Sequence, residues 1–406
     1  MVATDSQPIT SSPLTSYTTV APHISIGILA WNEEKAIEAT LQSLFQQSIF
    51  AELARLNAQC EIICVTNGCT DRTPQIAARL FNDLAANHPF RHTFSCRVAD
   101  LPERGKANAW DQFVHVLSAK TARFLFLMDG DILLYTSNAL WNMYQALQEH
   151  PEAYIAVDRP LKDISFKARK SLFERLSLAT TRMTQKDSAQ LTGQLYCIRA
   201  RIARNIYLPR DLPSVEDGFL KSVVCTDFLT RPSLPERIVQ ADDAAHVFEA
   251  YVTVPAIFRN QKRQMIGQTV NHLLVDDALK KLPLLERKNL AETLKQKDSA
   301  DPLWLKNLIG EHVRRAKYFW RLFPGVVGFR FKRWAKLAWP ERLTHFPAAT
   351  VGLCMTLAAC WAAHRSLKQG YANYWPEKTG ANMAAAKTDA ETVDRVSSHT
   401  QEARTH

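Results

Sequence analysis

The amino-terminal third of this chain switches repeatedly between two hydrophobic periods, and that alternation restricts the fold more than any other feature. "HISIGILAWNEE", starting at His23, is an apolar β-rich run that turns polar at its end. In "EEKAIEATLQSLFQQS" the residues Ile37, Leu41, Leu44 and Phe45 fall on one helical face. "CEIICVTNGCTDRT" reads as a second strand ending at Gly68, and "PQIAARLFNDLAA" as a second helix with Pro74 suited to its first turn. "TFSCRVAD", "RGKANAWDQFVHVLSAK" and "ARFLFLMDGD" continue as strand, helix, strand. This order predicts an α/β fold with a doubly wound, mostly parallel sheet flanked by helices. Ligands of such sheets sit at the carboxyl ends of the strands. Trp31-Asn32-Glu33, Asn67-Gly68 and Asp129-Gly130-Asp131 all fall there.

The run "FLFLMDGDILL", Phe124 to Leu134, places two aspartates at the end of a strand that reads as buried. Burying unpaired charge is costly. Two carboxylates two residues apart on a tight turn can face one divalent cation or its phosphate ligands, and magnesium and manganese prefer such oxygens. Asp-Gly is also ordinary turn chemistry, so hydrated turn aspartates are the plainer alternative. Beyond Tyr135 the pattern loosens. "SLFERLSLATTRM" reads as helical, "LTGQLYCIRARIA" as strand-like with a turn, and "LPSVEDGFLKSVV" opens a helix near Val215. "RIVQADDAAHVFEAYVTVPAIF" reads as one or two strands, and from about Gln261 the chain is helical and basic.

"AWNEE", "VTNGCTDRT", "RGKANAWD", "DGD", "TGQLYCIRA" and "VEDGFL" occur in that order. In this ordered set the chain resembles the family 2 glycosyltransferases, inverting enzymes of the GT-A fold. Their pattern is an apolar strand ending in "PAYNEE", then "VDDGSTDGT", "GKAxALN", "DxD", a Gly-rich stretch, and "ED" ahead of an apolar helix. The likeness covers about residues 23 to 270. It implies transfer of a sugar from a UDP- or GDP-linked donor to a lipid or glycan hydroxyl, assisted by Mg2+ or Mn2+. It implies that Trp31 and Glu33 line the nucleotide pocket, that Asn67 lies near the base, and that Lys106 lies near the donor. Asp129 and Asp131 match the "DxD", with Asp131 the metal ligand of the two. Asp217 matches the catalytic base, Glu216 stands beside it, and Gly193 falls in the stretch that shapes the sugar and acceptor pocket.

That chemistry needs these residue types. A single displacement at the anomeric carbon requires one carboxylate to take the acceptor proton. The departing diphosphate requires positive charge. Acidic residues opening the helix at "VEDGFL" also suit a helix amino terminus on general grounds. The chain departs from the pattern at Leu29, in place of the family's proline, and at Thr66-Asn67, in place of the acidic pair. The processive signature "QxxRW" keeps only Gln261; Gln264 and Met265 stand at its end, while Arg259, Lys262 or Arg263 remain to reach a diphosphate. Alternatives from other classes are a sugar-nucleotidyltransferase, whose Gly-rich "GGxGxRLxPLT" start is missing after His23, and a catalytically silent nucleotide-sugar-binding module. His246 shows no metal-ligand spacing; a core or surface histidine is the reading favoured over one near the site.

The formal net charge is +10, which favours anionic partners. Residues 311–342 interleave Arg and Lys with Trp, Phe and Tyr, and "FPAATVGLCMTLAACWAA", Phe346 to Ala363, carries no charge. Together they favour a membrane surface over nucleic acid or a purely buried helix. The expected organisation is a disordered tail at 1–22, a glycosyltransferase domain at 23–270, a helical membrane-associated region at 271–370 and a disordered tail at 371–406. Eight cysteines without a C-x-x-C pair suggest reduced thiols. The catalytic domain is therefore expected to face the cytoplasm; the family resemblance implies a role in the synthesis of envelope polysaccharide or glycolipid.

Overall fold

A computed structural model describes residues 22–171, 189–213, 216–316 and 339–370, with positions 174, 175, 177, 178, 318, 322 and 323 between them. Among these residues eight strands form one sheet in the order β3-β2-β1-β4-β7-β6-β8-β5. The first half follows the sequence pattern: β1 (Ile24–Ala30), α1 (Ile37–Phe45), α2 (Ile49–Arg55), β2 (Cys60–Asn67), α3 (Thr73–Ala86), β3 (Phe94–Leu101), α4 (Lys106–Asp111) and β4 (Phe124–Asp129). Here every pairing is parallel, with Ile24 opposite both Cys60 and Phe124. Strand β1 is buried along its whole length, as a central strand covered on both faces must be.

The second half is mixed. β5 (Ile132–Leu134), α5 (Ala139–Glu149), β6 (Ile155–Lys162), β7 (Leu195–Arg199), α6 (Ala200–Ala203), α7 (Glu216–Val224) and β8 (Ile238–Phe248) follow. β7 runs antiparallel to β4 and β6, while β8 runs parallel to β6 and antiparallel to β5. The register of β6 on β8 shifts between Val157 and Arg159, where the β8 partners jump from Gln240 to Ala245. The sheet edges are β3, which exposes Ser95, Arg97 and Asp100, and the three-residue β5.

Side chains alternate between two cores, as the two-residue period of a strand requires. Ile24, Ile26, Ile28, Ile62, Cys64, Phe124, Phe126 and Met128 pack with α1, α2, α3 and α5. Leu29, Ile63, Val65, Leu125 and Leu127 pack on the opposite face with Trp110 and Phe113. Gly27 leaves room for that face: a Cβ there would stand 2.7 Å from the Phe113 ring. The remaining helices are α8 (Val254–His272), α9 (Leu284–Lys288), α10 (Leu290–Ala300), α11 (Trp304–Arg315) and α12 (Trp339–Lys368). They contribute Ile266, Val270, Leu294, Ile309, Cys360, Ala363 and Leu367 to the second core.

One reading changes. "TVPAIF" is the start of α8, not strand: Thr253 Oγ1 accepts from the Ala256 amide at 3.3 Å, and Pro255 sits in the first turn, where its missing N–H costs nothing. The uncharged run 346–363 lies inside α12, and its Ala359, Cys360 and Ala363 are buried against the core. Among the described residues no helix is long and apolar enough to cross a membrane. The two tails, most of "SLFERLSLATTRM" and the basic aromatic stretch 317–338, apart from Tyr318, Leu322 and Phe323, lie outside the described residues.

Candidate active site

The loops after β1 and β2 are stitched to each other. Asn32 Oδ1 accepts from the Thr70 amide at 2.8 Å and its Nδ2 donates to Thr70 Oγ1 at 3.0 Å. The Glu33 amide donates to Thr73 Oγ1 at 2.8 Å, and the Glu34 amide to Asp71 Oδ2 at 3.1 Å. Asn67 closes the neighbouring gap: Nδ2 donates to the Ala30 carbonyl at 2.8 Å, and Oδ1 accepts from the Gly105 amide at 3.1 Å. Both ends of that amide thus hold backbone, and each keeps one further hydrogen-bonding position. The Arg104 guanidinium stacks 3.5 Å from the centre of the Trp31 ring, and the Trp31 indole N–H is buried without a partner among the described residues. Trp31, Glu33 and Asn67 therefore share one rim at the carboxyl ends of β1 and β2.

The second cluster answers why a buried strand ends in acids. Lys106, at the start of α4, places its Nζ 2.7 Å from Asp129 Oδ1, 2.9 Å from Glu216 Oε1 and 2.8 Å from the Gly193 carbonyl. Side chains from β4 and α7 thus meet on one ammonium, at the point where the chain approaches β7. Asp129, Asp131 and Glu216 are 7, 6 and 3% exposed, so a partner for these charges is required. Gly193 is glycine for a steric reason: a Cβ there would lie 2.8 Å from Glu216 Oε1 and 3.3 Å from Lys106 Nζ. The Asp129 amide donates to the Gln194 carbonyl at 2.8 Å, fixing the same corner from the backbone.

Asp217 follows Glu216 and accepts from the Gly218 amide at 2.8 Å. Burial, and then the adjacent Glu216 charge, raise its affinity for a proton above that of an ordinary aspartate; Lys106 and Arg263 oppose this. Lys106 is held protonated well above the ordinary lysine range: burial works against the charge, and Asp129 and Glu216 outweigh it. Beneath the cluster the Trp110 indole donates to the fully buried Tyr196 hydroxyl at 2.7 Å. Burial and the Glu216 charge push that phenol far above its usual range, so it stays neutral. On α8, Arg263 donates to Asn260 Oδ1 at 3.1 Å and faces Asp217 electrostatically.

Among the described residues no three His, Cys, Asp or Glu side chains are grouped to hold a metal by themselves. Asp129 is engaged by Lys106. The donor set still suits a hard cation that brings its own phosphate oxygens, since magnesium is held by one or two carboxylates plus substrate phosphates. Asp131, with Asp129 beside it, would hold that ion.

Sequence reading gave no role to Arg104 or Gln194. Both stand inside the motifs "RGKANAWD" and "TGQLYCIRA", but only the fold shows what they touch: Arg104 lies on Trp31, and the Gln194 carbonyl accepts from the Asp129 amide. His246 is completely buried; its Nδ1 shares a 2.7 Å hydrogen bond with Asp158, and its Nε2 lies 3.4 Å from Gln194 Oε1. The core reading of His246 matches this burial, and Gln194 links it to the backbone of Asp129.

Residues 25–204 match the family model described as Glycosyl transferase family 2. No curated protein matches the chain. Among solved structures it is similar to a mannosyltransferase, PcManGT from Pyrobaculum calidifontis, in complex with GDP-Man and Mn2+ (17% identity, 92% of this chain, 88% of that chain, TM-score 0.44). It is similar also to S. aureus TarS 1-349 in complex with UDP-GlcNAc (17% identity, 88% of this chain, 95% of that chain, TM-score 0.40). A third is glucosyl-3-phosphoglycerate synthase from Mycobacterium tuberculosis in complex with phosphoglyceric acid (17% identity, 61% of this chain, 78% of that chain, TM-score 0.34). At such scores the likeness says nothing of which donor or acceptor this chain takes.

Proposed function

We propose, on the premise of a family 2 glycosyl transferase domain at residues 25–204, that the chain is an inverting glycosyltransferase acting on a nucleotide-diphosphate sugar. The observation that carries this reading is the meeting of Asp129 and Glu216 on Lys106, which joins the carboxyl end of β4 to the start of α7. The rim of Trp31, Glu33 and Asn67 takes the nucleotide. Asp131 and Asp129 face its diphosphate, and a divalent cation bound there would offset the charge of the leaving group. Lys106, with its N–H groups on Asp129, Glu216 and Gly193, fixes the first acid of the pair. Arg263 adds positive charge from α8. Asp217, its proton affinity raised by burial and by Glu216, takes the proton of the acceptor hydroxyl as that oxygen attacks.

The acceptor in this reading is a lipid or glycan hydroxyl. The basic aromatic composition of residues 311–342 favours peripheral contact with an anionic membrane face. UDP-, GDP- and sugar-linked forms of each, screened by thermal shift with and without manganese, identify the donor, because a bound ligand raises the melting temperature. With that donor, Asp217→Asn should lower nucleotide release about 10²–10⁴-fold while donor binding persists. Full turnover in that variant would reject Asp217 as the base.

A further inference from the structure

Glu216 and Asp217 lie beyond the residues that match the family model, and side chains from still later helices grip the chain on both sides of them. Upstream, Asp298 of α10 is 5% exposed and is surrounded by donors. Its Oδ2 accepts from the Tyr207 hydroxyl at 2.7 Å and from the Arg210 amide at 3.1 Å, and its Oδ1 accepts from the Trp304 indole N–H. Lys306 of α11 adds an ion pair with Asp211 at 2.9 Å. Downstream, Asn271 of α8 donates to the Gly218 carbonyl at 3.4 Å and to Ser222 Oγ at 3.3 Å.

We propose that Asp298 and Asn271 are positioning residues, a two-sided clamp through which the carboxy-terminal helices aim the Asp217 carboxylate. The inference rests on the reading of Asp217 as the base. Tyr207 to Asp211 and Gly218 to Ser222 flank that residue, and each flank is tied to a helix outside the family match. A buried carboxylate satisfied by three donors has one orientation, and its donors are held to match it. Small displacements of a reacting group cost rate steeply, so fixing both flanks of a short helix start acts on the chemical step rather than on nucleotide binding, which this reading assigns to Trp31, Glu33 and Asn67.

The test uses the full chain as wild type, Asp298→Asn, Asn271→Ala and Tyr207→Phe, the last removing one link without changing volume. Hydrogen exchange is read peptide by peptide, alongside melting temperature and nucleotide release. The clamp predicts that amides 216–219 exchange about tenfold faster in each variant while β1 and β4 exchange as in wild type. It predicts that kcat falls about tenfold at unchanged donor KM. Unchanged exchange at 216–219, faster exchange throughout with a lower melting temperature, or local loosening without a fall in kcat would each overturn it. The two readings fail separately. An active Asp217→Asn rejects the base and leaves the exchange result to decide the clamp; an inactive Asp217→Asn beside variants that exchange as wild type rejects the clamp alone.

Discussion

The two halves of the site are built differently. On the donor side, consecutive strand ends and the loops that leave them bond to one another: Asn67 spans the Ala30 carbonyl and the Gly105 amide, and Asn32 doubles onto Thr70. On the side of Glu216 and Asp217 the contacts come from side chains of other elements: Lys106 of α4 on Glu216 and Asn271 of α8 on Gly218, with Gly193 leaving room for Glu216. A parallel sheet brings strand ends together by topology, whereas a base on a short helix needs side chains to hold it. Damage should therefore spread differently in the two halves.

Lys106→Met breaks the bond between the halves and should have the largest effect on stability. It keeps most of the stem but leaves Asp129 and Glu216 buried without their cation. The expected loss is about 3–5 kcal/mol, read from denaturant unfolding. A variant as stable as wild type would show that the two acids find another partner.

Two glycines sharpen the contrast. In Gly193→Ala the new Cβ meets Glu216 Oε1 at 2.8 Å, and in Gly27→Ala it meets the Phe113 ring at 2.7 Å. The first should lower kcat about tenfold by moving the acid beside the base. The second should cost about 1–3 kcal/mol of stability through overpacking, with kcat per folded molecule intact. If both variants lose only stability, the two halves respond alike and the distinction fails.

The smallest expected effect is a displacement along the pH axis. Asp217 must be deprotonated to accept a proton, so turnover rises with pH through its raised proton affinity. Glu216→Gln removes the neighbouring charge that contributes to the rise. The acidic limb of the kcat profile should then move to lower pH; a limb that stays would assign the raised affinity to burial alone, and one that moves upward would reject Asp217 as the group behind it.

The donor half was legible for the reason that makes it rigid. Ile24 to Ala30 and Phe124 to Asp129 are buried, mostly apolar runs, and the polar residues at and just after their ends mark the rim directly. Pairing of Asp129 with Glu216 was implied only through the family resemblance, since 87 residues separate them and no period connects them. Arg104 and Gln194 stand inside "RGKANAWD" and "TGQLYCIRA" and Asn271 in no motif, and none announces its own role, because each acts through a contact that exists only after folding. "TVPAIF" misled because β-branched residues favour strand, while Thr253 followed by Pro255 caps a helix. In the uncharged run at 346–363, Ala359, Cys360 and Ala363 face the core while Trp361 is exposed, and apolar composition alone does not tell those positions apart.

The borders of the sheet carry a further consequence. β5 offers three residues at one border, and β3 at the other displays Ser95, Arg97 and Asp100. Neither makes a long greasy rail onto which a second copy could zip its own backbone. Crowding this chain at a surface should therefore leave the copies separate along those borders, without stacking them into fibrils.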